Sequence, residues 1–206
     1  MSLDRDNLKK IRKRLESYLP AKRYEHSLGV EYTAAALAMR YGSDIYKAEL
    51  AGILHDCAKH FSDEELIRLC KNAGIETGEE ALKAPQLLHA IYAPHMAREE
   101  FGIEDEEVLS ALRWHTTGRP KMSLLESIIY VADYIEPGRK PLPMMKEIRE
   151  WAFRDIDFCV YKIAENTIDY LREKGQYIDK MTFNCYDSLK ERYGYGKEQK
   201  TGRENI

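Results

Sequence analysis

The chain has 206 residues, 44% apolar and 33% charged, with 32 Lys and Arg against 35 Asp and Glu for a formal net charge of −3. That balance suits one globular domain with a sizeable core and excludes a disordered or fibrous chain. The slightly acidic total argues against a general nucleic-acid binder but leaves an anionic small-molecule substrate open, because steering follows local charge.

Helical signals recur along the chain and strand signals are almost absent. DRDNLKKIRKRLESYL (4–19) is amphipathic and stops before Pro20. KRYEHSLGVEYTAAALAMRY (22–41) is an Ala-rich helix ending at Gly42, and SDIYKAELAGILHDCAKHF (43–61) reads as one helix with Ser43 and Asp44 at its start. SDEELIRLCKNAG (62–74) opens with a capping box, Ser62 to Glu65, and closes at Gly74. APQLLHAIYAPHMAREEFG (84–102) is helical, with Pro94 expected to bend or interrupt it. EDEEVLSALRWHTTG (104–118) has an acidic first turn suited to the macrodipole. A second capping box, Ser123 to Glu126, precedes LLESIIYVADYIEPGR (124–139), which Pro137 and Gly138 end. Residues 141–152 give only short signals, and DIDFCVYKIAENTIDYLREKG (155–175) is a long amphipathic helix. The expected architecture is all-α, a single helical bundle over residues 1–193 with a mobile polar tail at 194–206.

No apolar run approaches the roughly 20 residues that span a bilayer, and the charged start MSLDRDNLKK is no signal peptide. Cys57, Cys70, Cys159 and Cys185 are scattered without a CxxC pair, which reads as reduced thiols in a cytoplasmic protein. Cys57 adjoins Asp56 and is a candidate ligand, although a small buried hydrophobe is the simpler reading.

Six histidines are present: His26, His55, His60, His89, His95 and His115. Taken singly, each reads as an ordinary half-exposed or hydrogen-bonded helical residue. The adjacent pair His55–Asp56 is different, because it interrupts an apolar run in which burial is expected. An unpaired buried carboxylate costs several kcal/mol, so Asp56 needs a cation or donors. His26, in the Ala-rich helix, and Asp133, in YVADYIEP, pose the same anomaly on two other helices. One shared cation explains all four, since two adjacent side chains cannot complete a coordination sphere.

His26, the doublet His55–Asp56 and Asp133 reproduce the H…HD…D pattern of the HD-domain metal phosphohydrolases. More closely, RYEHSLGV, LAGILHDCAKHFSDEEL, LLHAIYAPHMAREEFGI, ALRWHTTGRPKMSLLESIIYVADYIEPGR and GQYIDKMTFNCYDSL, in that order, resemble the YqeK-type symmetrical bis(5′-nucleosyl)-tetraphosphatases. The resemblance spans roughly residues 5–193. It implies that His26, His55, Asp56 and Asp133 are iron ligands, and that His89 and His115 serve a second metal or the substrate phosphates. It places Arg23, Lys59, Thr116, Asp133 and Arg139 around the nucleotide. Gly175, Gln176, Tyr177, Ile178, Asp179 and Lys180 resemble the nucleoside-contacting segment. One departure is visible: a proline-type turn is expected near Lys180, where Met181 and Thr182 follow.

The implied reaction is hydrolysis of diadenosine tetraphosphate to two ADP. A cation neutralises the phosphate oxygens that repel a nucleophile and acidifies a water. Mixed imidazole and carboxylate ligands suit one or two iron ions, with manganese or another divalent transition metal as the alternative. Asp56 is the candidate bridge between two ions. His115, His89 and Lys59 are the catalytic candidates: His115 as the better one for acid–base work, His89 with it for donating to phosphate oxygens or protonating the leaving group if only one metal binds, and Lys59 as a point charge one helical turn beyond the doublet; Arg139 is a candidate bidentate phosphate grip. Solvated surface charge is the plain reading of Lys59 and Arg139. His60 and His95 match no motif position. Two rival readings stand beside this one: an HD phosphohydrolase of nucleoside monophosphates or dNTPs, and a non-catalytic nucleotide sensor. The partner is a small dinucleoside polyphosphate or ADP, with no nucleic acid or membrane; monomer and homodimer are both open.

Overall fold

Ten α-helices and one 3₁₀ turn, with no strand among the described residues, make up the computed structural model, which describes residues 2–78 and 83–194. The helices are α1 (Ser2–Glu16), α2 (Ala21–Tyr41), α3 (Ile45–Leu54), α4 (Asp63–Asn72), α5 (Leu88–Phe101), α6 (Glu106–Trp114), α7 (Leu124–Ile135), α8 (Met145–Trp151), α9 (Ile156–Glu173) and α10 (Lys180–Tyr193). The all-α expectation holds. The tail expected to be mobile lies, from residue 195 onward, outside the described residues.

Helix α7 is the axis of the bundle, packing against α2, α3, α6, α8 and α9. Its sequence explains that position: every residue from Leu125 to Ala132 is buried, so the helix is apolar on nearly all sides. Ile128 and Ile129 are fully enclosed, and each such side chain contributes roughly 1.5–3 kcal/mol by leaving water. The capping box closes its start, with Ser123 Oγ accepting from Glu126 N–H and the Glu126 side chain accepting from Ser123 N–H. Ser62 and Glu65 do the same for α4.

Helices α2 and α3 pack with their backbones in close approach, and Gly52 permits it. A Cβ at Gly52 would lie 2.7 Å from the Glu31 Cα, inside any normal contact. Their outer face is clamped by α1 through Arg5–Glu49, 2.7 Å apart, and an Arg12–Glu31 ion pair. The close approach carries the end of α3 up to the second turn of α2, where His26 stands, its ring 5.2 Å from that of His55.

Three expectations are corrected. The segment 43–61 is not one helix: α3 ends at Leu54, and residues 55–60 continue as tight turns, with Cys57 N–H donating to Leu54 O and Lys59 N–H to Asp56 O at 2.9 Å each. Lys59 is therefore not one helical turn above the doublet. Helix α5 runs through Pro94 without interruption. A proline is also unnecessary before α10, because Gly175 adopts φ +62° and the Asp179 side chain caps the helix by accepting from Met181 N–H at 2.7 Å.

Candidate metal centre

The clustered side chains come from the ends of helices. His55 follows α3, His115 follows α6, His89 lies in the first turn of α5, and Asp133 in the last turn of α7. The last carbonyls of a helix lack intrahelical partners, and His55 and His115 use those of α3 and α6, whereas His89 uses the carbonyl of Gln86 in the 3₁₀ turn (Pro85–Leu87) before α5. His55 Nδ1 lies 2.8 Å from Gly52 O, His89 Nδ1 2.7 Å from Gln86 O, and His115 Nδ1 2.7 Å from Leu112 O. A carbonyl only accepts, so in each neutral ring Nδ1 carries the proton and Nε2 presents its lone pair. His26, inside α2, lies with Nδ1 3.0 Å from Glu136 Oε1 and reaches the same tautomer.

The four Nε2 atoms converge on two carboxylates. Asp56 Oδ1 lies 3.2 Å from His89 Nε2 and 3.6 Å from His115 Nε2, while Asp56 Oδ2 lies 3.5 Å from His55 Nε2. Asp133 Oδ1 lies 3.0 Å from His26 Nε2 and 3.7 Å from His55 Nε2. Among the described residues, two triads have ligand atoms all within 4.8 Å of one another: His26, His55 and Asp56, and Asp56, His89 and His115. Asp56 belongs to both. His55 is 0% exposed, Asp56 4%, His89 3% and His115 2%, so water does not satisfy these groups. The nitrogens His26 Nε2 and His55 Nε2 are buried and make no hydrogen bond. Buried lone pairs without donors, facing shared carboxylates, are what a divalent cation fits, and imidazole with carboxylate is a donor set for a transition metal.

The electrostatics carry the same demand for positive charge. Burial pushes the Asp56 carboxyl upward, but the imidazoles of His55, His115 and His89 around it prevail and hold it well below the usual range. Asp133 is likewise held low: burial is outweighed by His26, the Arg139 guanidinium and His55. His55 is stripped of water, which disfavours its cation, yet Asp56 and Asp133 raise its pKa. Burial brings His89 down to about 4.

The residues expected around phosphate stand at the rim. Arg23 Nη1 donates to Asp56 Oδ2 at 2.6 Å, and Arg139 Nη1 to Asp133 Oδ1 at 2.8 Å. Lys59, although off the helix, reaches the cluster: its Nζ donates to Gln86 O at 3.2 Å and stands 3.0 Å from His89 Nδ1, and burial lowers its pKa. Thr116 follows His115, with a buried Oγ1 that makes no hydrogen bond. Gly175, Gln176, Tyr177, Ile178 and Asp179 lie in the α9–α10 connection and Lys180 begins α10; Asp179 lines a cavity of about 270 Å³ with Thr117, Trp114, Arg113 and Leu87. His60 packs on Tyr18 and Phe61, and His95 on Tyr92, outside both triads. Cys57 is fully buried, with burial raising its thiol pKa. The residue missed from sequence is Glu136, whose signal was an acidic side chain at the end of an apolar helix, followed directly by Pro137.

The HD domain family matches residues 23–138 of the chain. The chain is 43% identical over 175 residues to a protein of Halalkalibacterium halodurans named bis(5′-nucleosyl)-tetraphosphatase, symmetrical, covering 85% of this chain and 92% of that one. A Staphylococcus aureus protein of the same name is 36% identical over 196 residues, covering 94% and 97%. A crystal structure from Clostridium acetobutylicum, described as a "predicted HD superfamily hydrolase involved in NAD metabolism", superposes with a TM-score of 0.86 at 43% identity, covering 89% of this chain and 97% of that one.

Proposed function

The chain belongs to the HD domain family, and within it to the symmetrical bis(5′-nucleosyl)-tetraphosphatases; from that membership we propose that it is a metal-dependent hydrolase cleaving diadenosine tetraphosphate into two ADP. The observation that carries the reading is Asp56 shared between two histidine pairs, His26 with His55 and His89 with His115. Iron, as one or two ions held by these residues and Asp133, suits the mixed nitrogen and oxygen donors, with manganese the alternative. When bound, the cation supplies charge neutralisation at the phosphate oxygens and activation of the attacking water.

The chain's own residues supply the rest. Arg23, Lys59 and Arg139 bring three cationic side chains to one rim, where a polyphosphate replaces or joins their carboxylate and carbonyl partners. The segment 175–180 and the cavity beside Asp179 hold one nucleoside, which sets which phosphorus faces the centre. Water adds to the second phosphorus, the bridging P–O bond to the third breaks, and the leaving oxygen takes a proton. His115 Nε2, unprotonated in the neutral ring, would take the proton released by the attacking water and pass it to the leaving oxygen; His89 and His115 would instead hold a second ion if two are bound. The chain works in the cytoplasm, where free thiols such as its four buried cysteines stay reduced. No described helix is long and apolar enough to cross a membrane.

Incubating the metal-loaded protein with diadenosine tetraphosphate and separating the products tests the reading. Two ADP per turnover is the expected result. ATP with AMP, or no turnover with iron or manganese present, overturns it.

A further inference from the structure

Three of the four imidazoles in the cluster are held by carbonyls three residues earlier in their own turn, and His26 is not. The difference follows from where they sit. His55 and His115 follow helix C-termini, where carbonyls are available, and His89 follows the 3₁₀ turn that supplies Gln86 O, whereas His26 lies inside α2, where the carbonyl ladder is already spent. An acceptor for its Nδ1–H has to arrive from elsewhere in the chain. It comes from Glu136, 110 residues away, at 3.0 Å.

We infer that Glu136 is a positioning residue of the metal centre: its carboxylate fixes the His26 tautomer and ring orientation, keeping the Nε2 lone pair on the cluster. The inference rests on the metal-dependent reading proposed above. Several features hold Glu136 in this role. It is 2% exposed, and its second oxygen, Oε2, accepts from Gly138 N–H at 2.6 Å. Arg149, on α8, donates to the carbonyls of Ile135 and Glu136 at 2.9 Å each, anchoring the backbone at the end of α7. Across from it, α2 carries Gly29, where a Cβ would lie 2.5 Å from Glu136 Oε2. The helix leaves out a side chain three residues beyond His26, at the place the carboxylate fills.

A carboxylate is a stronger acceptor than a backbone carbonyl, and it makes the imidazole it holds a better electron donor. Glu136 therefore acts on metal affinity through His26 without touching substrate.

The experiment compares the unaltered protein with Glu136→Ala, Glu136→Gln and Gly29→Ala. Histidine-selective ¹⁵N NMR of the metal-free proteins reads the His26 tautomer, and equilibrium dialysis with manganese(II) reads affinity. The unaltered protein is expected to show protonated Nδ1 at His26. Glu136→Ala is expected to mix tautomers and weaken manganese(II) binding 10–100-fold, with kcat recovering at saturating metal and KM for dinucleotide unchanged. Glu136→Gln, which keeps an acceptor oxygen, falls between. Gly29→Ala displaces the carboxylate while leaving it in the chain, and is expected to weaken metal binding; it preserves the test if Glu136→Ala does not fold. An unchanged tautomer and unchanged affinity in these variants overturn the inference. Absence of manganese(II) binding by the unaltered protein defeats instead the metal reading on which it rests.

Discussion

Asp56 Oδ1 stands 3.2 Å from His89 Nε2, while the other oxygen of the same carboxylate is the one nearest His55. One side chain thus faces two groups of imidazoles, and Asp56 is 4% exposed, so neither oxygen is satisfied by bulk water. Its removal affects both triads together.

Asp56→Ala is expected to lose bound metal and at least 100-fold in turnover, more than loss of an outer-shell partner costs. Elemental analysis of the isolated protein alongside product formation checks this. A nucleotide-dependent response that persists with no metal bound would instead favour a sensor.

The two triads predict a graded loss of metal. His115→Ala leaves His26, His55 and Asp56 intact and is expected to retain one equivalent of cation, while His55→Ala breaks the triad that includes His26. Metal stoichiometry on purified variants separates them. Equal loss in both would mean a single ion held by all the histidines.

Chelation is expected to lower the thermal midpoint, and manganese(II) to restore it. A ligand that binds only the folded state at 100 times its Kd stabilises by about 2.7 kcal/mol. A melting curve indifferent to both treatments would show that the cluster holds no ion.

Gly52→Ala forces a methyl against the Glu31 backbone, 2.7 Å from its Cα. Backbone cannot swing aside as a flexible side chain does, so the expected cost is about 1–3 kcal/mol, despite the better helix propensity of alanine. Urea unfolding measures it.

Ser123→Ala removes the cap of the buried axial helix, and Ser62→Ala that of the peripheral α4. Each is expected to cost about 1 kcal/mol. The first should cost more, because its partner Glu126 is 1% exposed and also accepts from Ser110 and Arg119. Denaturation midpoints of the two variants give the order.

What could be read from sequence was whatever a residue announces against its immediate neighbours. Apolar periodicity marked most of the helices, Ser62 and Ser123 marked two starts, and His26, His55, Asp56 and Asp133 stood out as ionisable groups in apolar stripes, because burying them alone is costly. The end of α3 at Leu54 was not marked, because the segment through Phe61 keeps a helical pattern while its backbone turns away to aim His55 and Asp56. The grip of Glu136 on His26 and the need for Gly29 and Gly52 were invisible too. They depend on how α2, α3 and the end of α7 cross, and a crossing brings together residues such as His26 and Glu136, 110 positions apart, that no local pattern links.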